Sequence, residues 1–171
     1  MDAEMMGRMM ASARQRTKRF LSEEMELEVT RHSQSMGNVD VLVLRDTTVV
    51  VGIGGAVNVL IAFGFQPELL DVLFSRFTAD ITVPPAQQER YRMASATEIA
   101  NIIAGHCTDD LPQIGAALPL SAPVVLAEVR DILRPRAAQF ASMSLETRAG
   151  CMEISFIGPA ELFDQQLNYV D

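Results

Sequence analysis

An uncharged run of 21 residues, 47–67, constrains the fold of this 171-residue chain more than any other feature. The run is long enough to cross a bilayer as a helix. It nevertheless opens with Thr-Thr-Val-Val-Val, carries three glycines in its middle, and resumes with Val-Asn-Val-Leu-Ile-Ala-Phe. β-Branched residues on both sides of a glycine cluster predict two strands joined by a turn. We therefore expect a sheet and no insertion into a membrane.

The order of the other predicted elements points to one domain that mixes helices and a sheet. Hydrophobic periodicity predicts a helix at residues 3–24, a second helix that begins at Pro67, and a third at residues 87–107. Strands are predicted at 25–29, 39–44, 48–53, 57–65, 124–129, 140–147 and 151–156. Residues 31–38 are expected to form a loop, 108–112 a short helix or turn, and 158–171 a cap or a loose tail. This order favours class α+β (α/β), with a mainly antiparallel sheet packed against long helices.

The charge of the chain excludes one class of partner. The net charge is −8 at pH 7, which repels phosphate backbones, so nucleic acid binding is not expected. The single basic cluster contains Arg14, Arg16, Lys18 and Arg19, and we interpret it as the solvated face of a helix.

Cysteine and histidine are too few and too poorly spaced for a metal site. Cys107 and Cys151 are the only cysteines, and with His106 and His32 they lack C-x-x-C or H-x-x-x-H spacing. A secreted disulfide scaffold is not indicated, and the N-terminus lacks the pattern of a signal peptide. The sequence therefore predicts a cytoplasmic protein without a bound metal.

A polar pair stands out on the third predicted helix. Glu98 and Asn101 are three residues apart, so they lie one turn apart on the same helical face. Their neighbours on that face, Ala94 and Gly105, are small, which leaves room for another surface to approach. Asn is unfavourable inside a helix, so Asn101 suggests a functional role. The opposite face is expected to be buried and comprises Ala96, Ile99, Ile102, Ile103 and Cys107.

The segment Glu98-Ile-Ala-Asn101-Ile-Ile-Ala-Gly105, with Pro123 about twenty residues later, resembles the signature of the CheC/CheX/FliY family of chemotaxis phosphatases. The family pattern is Asp or Ser, Glu four residues on, Asn three further, and then the proline. The similarity covers residues 15–157 and includes the strand–turn–strand around Val51-Gly-Ile-Gly-Gly. A second E-x-x-N is not found, which favours the CheX-like branch and implies a homodimer.

The resemblance implies hydrolysis of the aspartyl phosphate on a CheY-like response regulator. Asn101 would hold the attacking water and Glu98 would pair with the active-site lysine of the regulator. Pro123 and Gly105 would shape the site. The regulator would supply its own Mg²⁺, so this chain would need no cofactor.

One position departs from the family pattern. Ala94 stands where the family carries Asp or Ser, and Ser95 points about 100° away. An alternative is therefore a non-catalytic docking module of the same fold, which binds a response regulator or a flagellar component. A structural dimer without a role in phosphosignalling is the third alternative.

Overall fold

The protein was analysed as a computed structural model that describes residues 3–37, 40–54, 59–109, 119–128 and 130–163. The strands are β1 (Val29–Gly37), β2 (Val41–Val43), β3 (Thr47–Ile53), β4 (Val59–Phe65), β5 (Val124–Ala127), β6 (Asp131–Leu133), β7 (Ala138–Thr147) and β8 (Gly150–Pro159). Six of them form one sheet in the order β1-β7-β8-β4-β3-β5, and β2 and β6 form a separate ribbon. Every pairing among these strands is antiparallel. The predicted class of mixed helix and mainly antiparallel sheet is confirmed.

The uncharged run forms two adjacent strands at the centre of the sheet, as predicted. β3 and β4 pair from Thr47 opposite Phe65 to Ile53 opposite Val59. The alternate residues of both strands that point to the helices are buried: Val49, Val51, Ile53, Ile61, Phe63 and Phe65. Among the described helices, none is both long enough and apolar enough to cross a membrane.

Three α-helices cover one face of the sheet. They are α1 (Ala3–Arg19), α2 (Pro67–Phe77) and α3 (Gln88–Asp109). A π-helical turn, Phe20–Glu24, continues α1, so the predicted helix at residues 3–24 is confirmed. α2 begins at Pro67 as predicted, because proline fits the first helical turn, where its missing N–H has no partner to lose. The helices and the inner face of the sheet share one apolar core.

The prediction for residues 25–38 was wrong in both parts. The proposed strand at 25–29 is a turn, in which Glu26 has a φ of 46°, and only Val29 belongs to a strand. Residues 31–37 of the proposed loop are instead most of β1, which pairs with β7 from Val29 to Gly37, whereas residue 38 lies outside the described residues. β1 lies at the edge of the sheet, and its polar residues lack the alternation of apolar side chains that marks a half-buried strand.

The remaining differences are one missed strand and several shifted element ends. β6 was not predicted, because three residues are too short to give a periodic pattern. β5 ends at Ala127, before Glu128, which has a φ of 64°. Thr108 and Asp109 extend α3, whereas the rest of the proposed turn at 108–112 lies outside the described residues. Of the predicted tail, residues 158–159 complete β8, Ala160–Leu162 forms a 3₁₀ turn, and 164–171 lie outside the described residues.

Candidate functional site

Side-chain hydrogen bonds connect helix α3 to both neighbouring helices, and they determine which face of α3 is exposed to solvent. Near its start, Arg92 donates from Nε to the Asp71 carboxylate on α2 at 2.6 Å and from a terminal nitrogen to the Pro67 carbonyl at 3.3 Å. Near its end, the Cys107 thiol lies 3.5 Å from the Met9 carbonyl of α1, to which it donates. The middle of α3 is therefore held against β3, β4 and β5 in one rotational setting.

The face of α3 that was predicted to be buried is buried, with one exception. Ala96, Ile99 and Cys107 are 0% exposed and Ile103 is 1% exposed. Ile102 is only half-buried and lines a cavity between α1 and α3. The prediction that Ile102 belongs to the core was therefore wrong in part, because this residue lies at the border between the two faces.

Glu98 and Asn101 lie together on the exposed face of α3. Both side chains are exposed, and neither has a hydrogen-bond or ion-pair partner among the residues that the structure describes. A helix rises about 1.5 Å per residue, so their Cα atoms are separated by about 4.5 Å along the axis. A carboxylate and a carboxamide therefore stand side by side with their polar atoms available to a partner.

The residues that flank this pair leave the helix backbone accessible. Ala94 is exposed and lies one turn before Glu98 on the same face. A Cβ built on Gly105 would meet no atom within 4 Å, so the space above this residue is open. Small residues therefore flank the polar pair on both sides, as predicted, and the helix surface around the pair is uncrowded.

Ser95 does not replace the polar group that Ala94 lacks. Its side chain is buried, at 5% exposure, and its hydroxyl donates to the Tyr91 carbonyl at 2.9 Å. The hydroxyl of Thr97, on the other side of Glu98, likewise donates to the Met93 carbonyl at 2.9 Å. The exposed polar groups at the centre of this face are therefore those of Glu98 and Asn101.

Pro123 lies on a different element from the polar pair. It is half-buried and directly precedes β5, an edge strand that α3 contacts. The loop before it is held to β3, because the Ser121 amide donates to the Gly52 carbonyl and the Gly52 amide donates to the Ser121 hydroxyl, both at 2.8 Å. The structure therefore brings Pro123 to the sheet edge beside α3 and not onto the helical face.

A cavity of about 380 Å³ between α1 and α3 was not predicted from the sequence. Its walls include Ile102 and His106 of α3 and Arg16 and Arg19 of α1. Ile102 is four residues after Glu98, so the cavity opens one helical turn from the polar pair. The only sequence feature that could have indicated the cavity is the position of Ile102 on the helical wheel, at the border between the buried and the polar face.

The structure groups no set of metal ligands within its described residues. Three or more His, Cys, Asp or Glu side chains do not converge at any point of that part of the chain. Cys107 and Cys151 are both buried, and the described residues contain no disulfide between them.

Comparison with known proteins gives matches only among solved structures. No protein-family model matches the chain, and no curated protein matches it significantly. The chemotaxis protein CheX from Desulfovibrio desulfuricans superposes with a TM-score of 0.72 at 18% identity, over 88% of this chain and 98% of that chain. A CheC-like superfamily protein from Shewanella sp. PV-4 gives 0.70 at 15% identity, over 92% and 99%.

A third similar structure is a complex. CheX in the CheX–CheY–BeF₃–Mg²⁺ complex from Borrelia burgdorferi gives a TM-score of 0.66 at 15% identity, over 89% of this chain and 95% of that chain. Likeness at these identities, over nearly the full length of each structure, defines the fold. The chain has the fold of the CheX and CheC-like proteins, and the fold expected from the E-x-x-N resemblance is confirmed.

Proposed function

We propose that this chain is a CheX-like member of the CheC/CheX/FliY family that hydrolyses the aspartyl phosphate of a CheY-like response regulator. The observation that carries the proposal is the position of Glu98 and Asn101. They are exposed at the middle of a firmly anchored helix, without described partners, between two small residues. A structure of the same fold is a complex with CheY, BeF₃ and Mg²⁺.

In the proposed reaction, water attacks phosphorus in line with the aspartyl oxygen. The water oxygen forms a bond to phosphorus as the bond between phosphorus and the aspartyl oxygen breaks. Inorganic phosphate and the free aspartate carboxylate are released, and both protons of the water leave with the phosphate as H₂PO₄⁻. Such a reaction depends on positioning and on neutralising the phosphoryl charge rather than on covalent catalysis.

Asn101 holds the attacking water in this mechanism. Its carboxamide offers both an acceptor and two donors, so it can orient a water molecule without acting as a base. Because α3 is fixed by Arg92 and Cys107, the amide is presented on a rigid element. Rigid presentation lowers the entropy cost of bringing the water to phosphorus.

Glu98 binds the partner in this mechanism. Its exposed carboxylate pairs with the active-site lysine of the regulator, which together with the regulator's Mg²⁺ neutralises the phosphoryl group. No cofactor is required in this chain. The proposal places the protein in the cytoplasm, where response regulators act, and includes the homodimer that the resemblance implies.

Phosphate release from a phosphorylated CheY-like protein of the same organism tests the proposal. We expect the chain to accelerate release, and Asn101→Ala to remove the acceleration while binding to the BeF₃-treated regulator persists. Glu98→Gln should weaken binding itself. Gln88→Ala changes an exposed residue at the start of the same helix and should leave both readouts unchanged.

The second candidate function, a docking module without catalysis, is favoured by Ala94. The absent side chain at this position is not replaced by Ser95, whose hydroxyl is bonded to Tyr91. Binding of the regulator by the wild type without any acceleration of phosphate release would support the docking module. Absence of binding would contradict both candidates.

A further inference from the structure

The basic cluster of α1 is divided between two sides of the helix. Arg16 and Arg19 line the cavity toward α3, where Arg19 pairs with Glu23 at 2.7 Å. Arg14 and Lys18 lie on the opposite side and line a separate cleft between α1 and β1. The interpretation of all four residues as one solvated helical face was therefore wrong.

The cleft between α1 and β1 has a volume of about 310 Å³, at the lower end of the range for small-molecule sites. Arg14, Lys18 and His32 provide nitrogen donors around it, and Gln15 adds an amide. Its apolar lining consists of Ala11, Val29 and Leu145. The cleft therefore combines a group of basic side chains with a compact apolar surface.

The strand register explains why His32 of β1 lies in the same cleft as Arg14 and Lys18 of α1. His32 lies opposite Leu145 in the pairing of β1 with β7, and Leu145 belongs to the buried face that the helices cover. His32 therefore stands on the helix side of the sheet edge. Arg14 and Lys18 are four residues apart and lie above one another on the same face of α1.

None of the carboxylates that the structure describes neutralises these three basic side chains. Within the part of the chain that the structure describes, no Asp or Glu lies in ion-pair distance of Arg14, Lys18 or His32. This arrangement is unexpected in a chain with a net charge of −8, where carboxylates outnumber basic groups by 22 to 14. The described residues therefore leave these basic side chains available to an anionic group.

We propose that this cleft binds a small organic anion. A carboxylate or phosphate group would accept hydrogen bonds from Arg14, Lys18 and His32, and such charge-assisted bonds are the strongest that these side chains make. A compact apolar body would cover Val29 and Leu145. This site lies on the side of α1 away from α3, so the proposal does not rest on the function proposed above.

Titration of the ¹⁵N-labelled full chain tests the site by NMR. The probes are phenyl phosphate, benzoate and the neutral analogue benzamide, at low salt because screening weakens such contacts. With one or both anions, we expect saturable chemical-shift changes confined to residues that line the cleft. With benzamide, we expect none. A response to phenyl phosphate alone would assign a phosphate ligand, and a response to both anions a general one.

Two double variants, each of which removes two positive charges, distinguish a specific site in the cleft from nonspecific electrostatic attraction to α1. Arg14→Gln with Lys18→Gln should weaken binding by about tenfold or more, because two charge-assisted bonds are lost. Arg16→Gln with Arg19→Gln removes the same charge from the other side of α1 and should change the affinity by no more than about twofold. Preserved spectral dispersion confirms that the variants are folded. Absence of saturable shifts in the wild type, or equal loss in both double variants, would overturn the proposal.

Discussion

The two faces of α3 differ in what holds their residues in place. Ile99 and Ile103 are buried against the sheet and the neighbouring helices, where packing specifies both their size and their shape. Glu98 and Asn101, on the other side of the helix, are exposed and have no hydrogen-bond or ion-pair partner among the described residues. Packing therefore specifies the residues of the buried face, whereas no contact with a described residue specifies those of the exposed face. Substitutions on the buried face should change stability, and substitutions on the exposed face should change activity.

The largest expected effect is on the buried face. Ile99→Ala should lower the free energy of unfolding by about 2–5 kcal/mol, because it removes a fully buried side chain and leaves a cavity. Urea denaturation followed by circular dichroism measures this loss. Ile102→Ala, at the half-buried border, serves as the control and should cost clearly less. Equal losses at both positions would contradict the difference between core and border.

Asn101→Ala should produce the next largest effect, and on activity instead of stability. We expect dephosphorylation of the regulator to fall about a hundredfold, because the attacking water is no longer positioned. The free energy of unfolding should stay unchanged or rise by about 0.5 kcal/mol, since alanine is the better helix former. Phosphate release and urea denaturation on the same preparation measure both. A loss of stability comparable to that of Ile99→Ala would show that the two faces are not separable.

Gly105 gives a sharper test, because one substitution there should raise stability and another should weaken binding. Gly105→Ala should stabilise the chain by about 0.5–1 kcal/mol, since a Cβ meets nothing within 4 Å and alanine favours the helix. Gly105→Arg should instead weaken binding of the regulator by obstructing its approach. Thermal unfolding and binding assays distinguish these results. Undiminished binding by Gly105→Arg would place Gly105 outside the contact surface.

The smallest effect is expected at Ala94. Ala94→Ser should raise phosphate release by a few-fold at most, since it restores a hydroxyl on the exposed face but not the water-positioning amide. Its effect on stability should remain within about 0.5 kcal/mol, as for most exposed positions. Ser95→Ala is the matched control and should not change activity, because that hydroxyl is committed to Tyr91. An equal gain from both substitutions would contradict this assignment.

Residues with a strong periodic pattern were predicted well from the sequence. The inner residues of β8, Met152, Ile154 and Phe156, are 0% exposed, as their clean alternation indicated. The face of α3 that carries Glu98 and Asn101 was located because the buried residues on the opposite side fixed the rotation of the helix. The pairing of these two residues in space is thus a consequence of helical geometry.

The parts that could not be predicted depend on distant segments. β1 was missed because its residues become a strand only by pairing with β7, more than a hundred residues later. Helical periodicity already separates Arg14 and Lys18 from Arg16 and Arg19, but which side of α1 faces α3 and which faces β1 depends on the tertiary packing. Pro123 was named from the resemblance, and its position beside α3 depends on the pairing of β5 with β3.

The strand order has a consequence for how the chain folds during synthesis. β1 follows α1 near the N-terminus, yet it pairs with β7, and β4 pairs with β8, so the sheet is completed by the last hairpin of the described chain. Contacts between residues so far apart in sequence slow folding, because a long loop must close before they form. The N-terminal half therefore emerges from the ribosome before its partner strands exist. Its apolar surface and unpaired strand edges stay exposed until then. We therefore expect this half of the chain to be prone to aggregation until β7 and β8 have been synthesised.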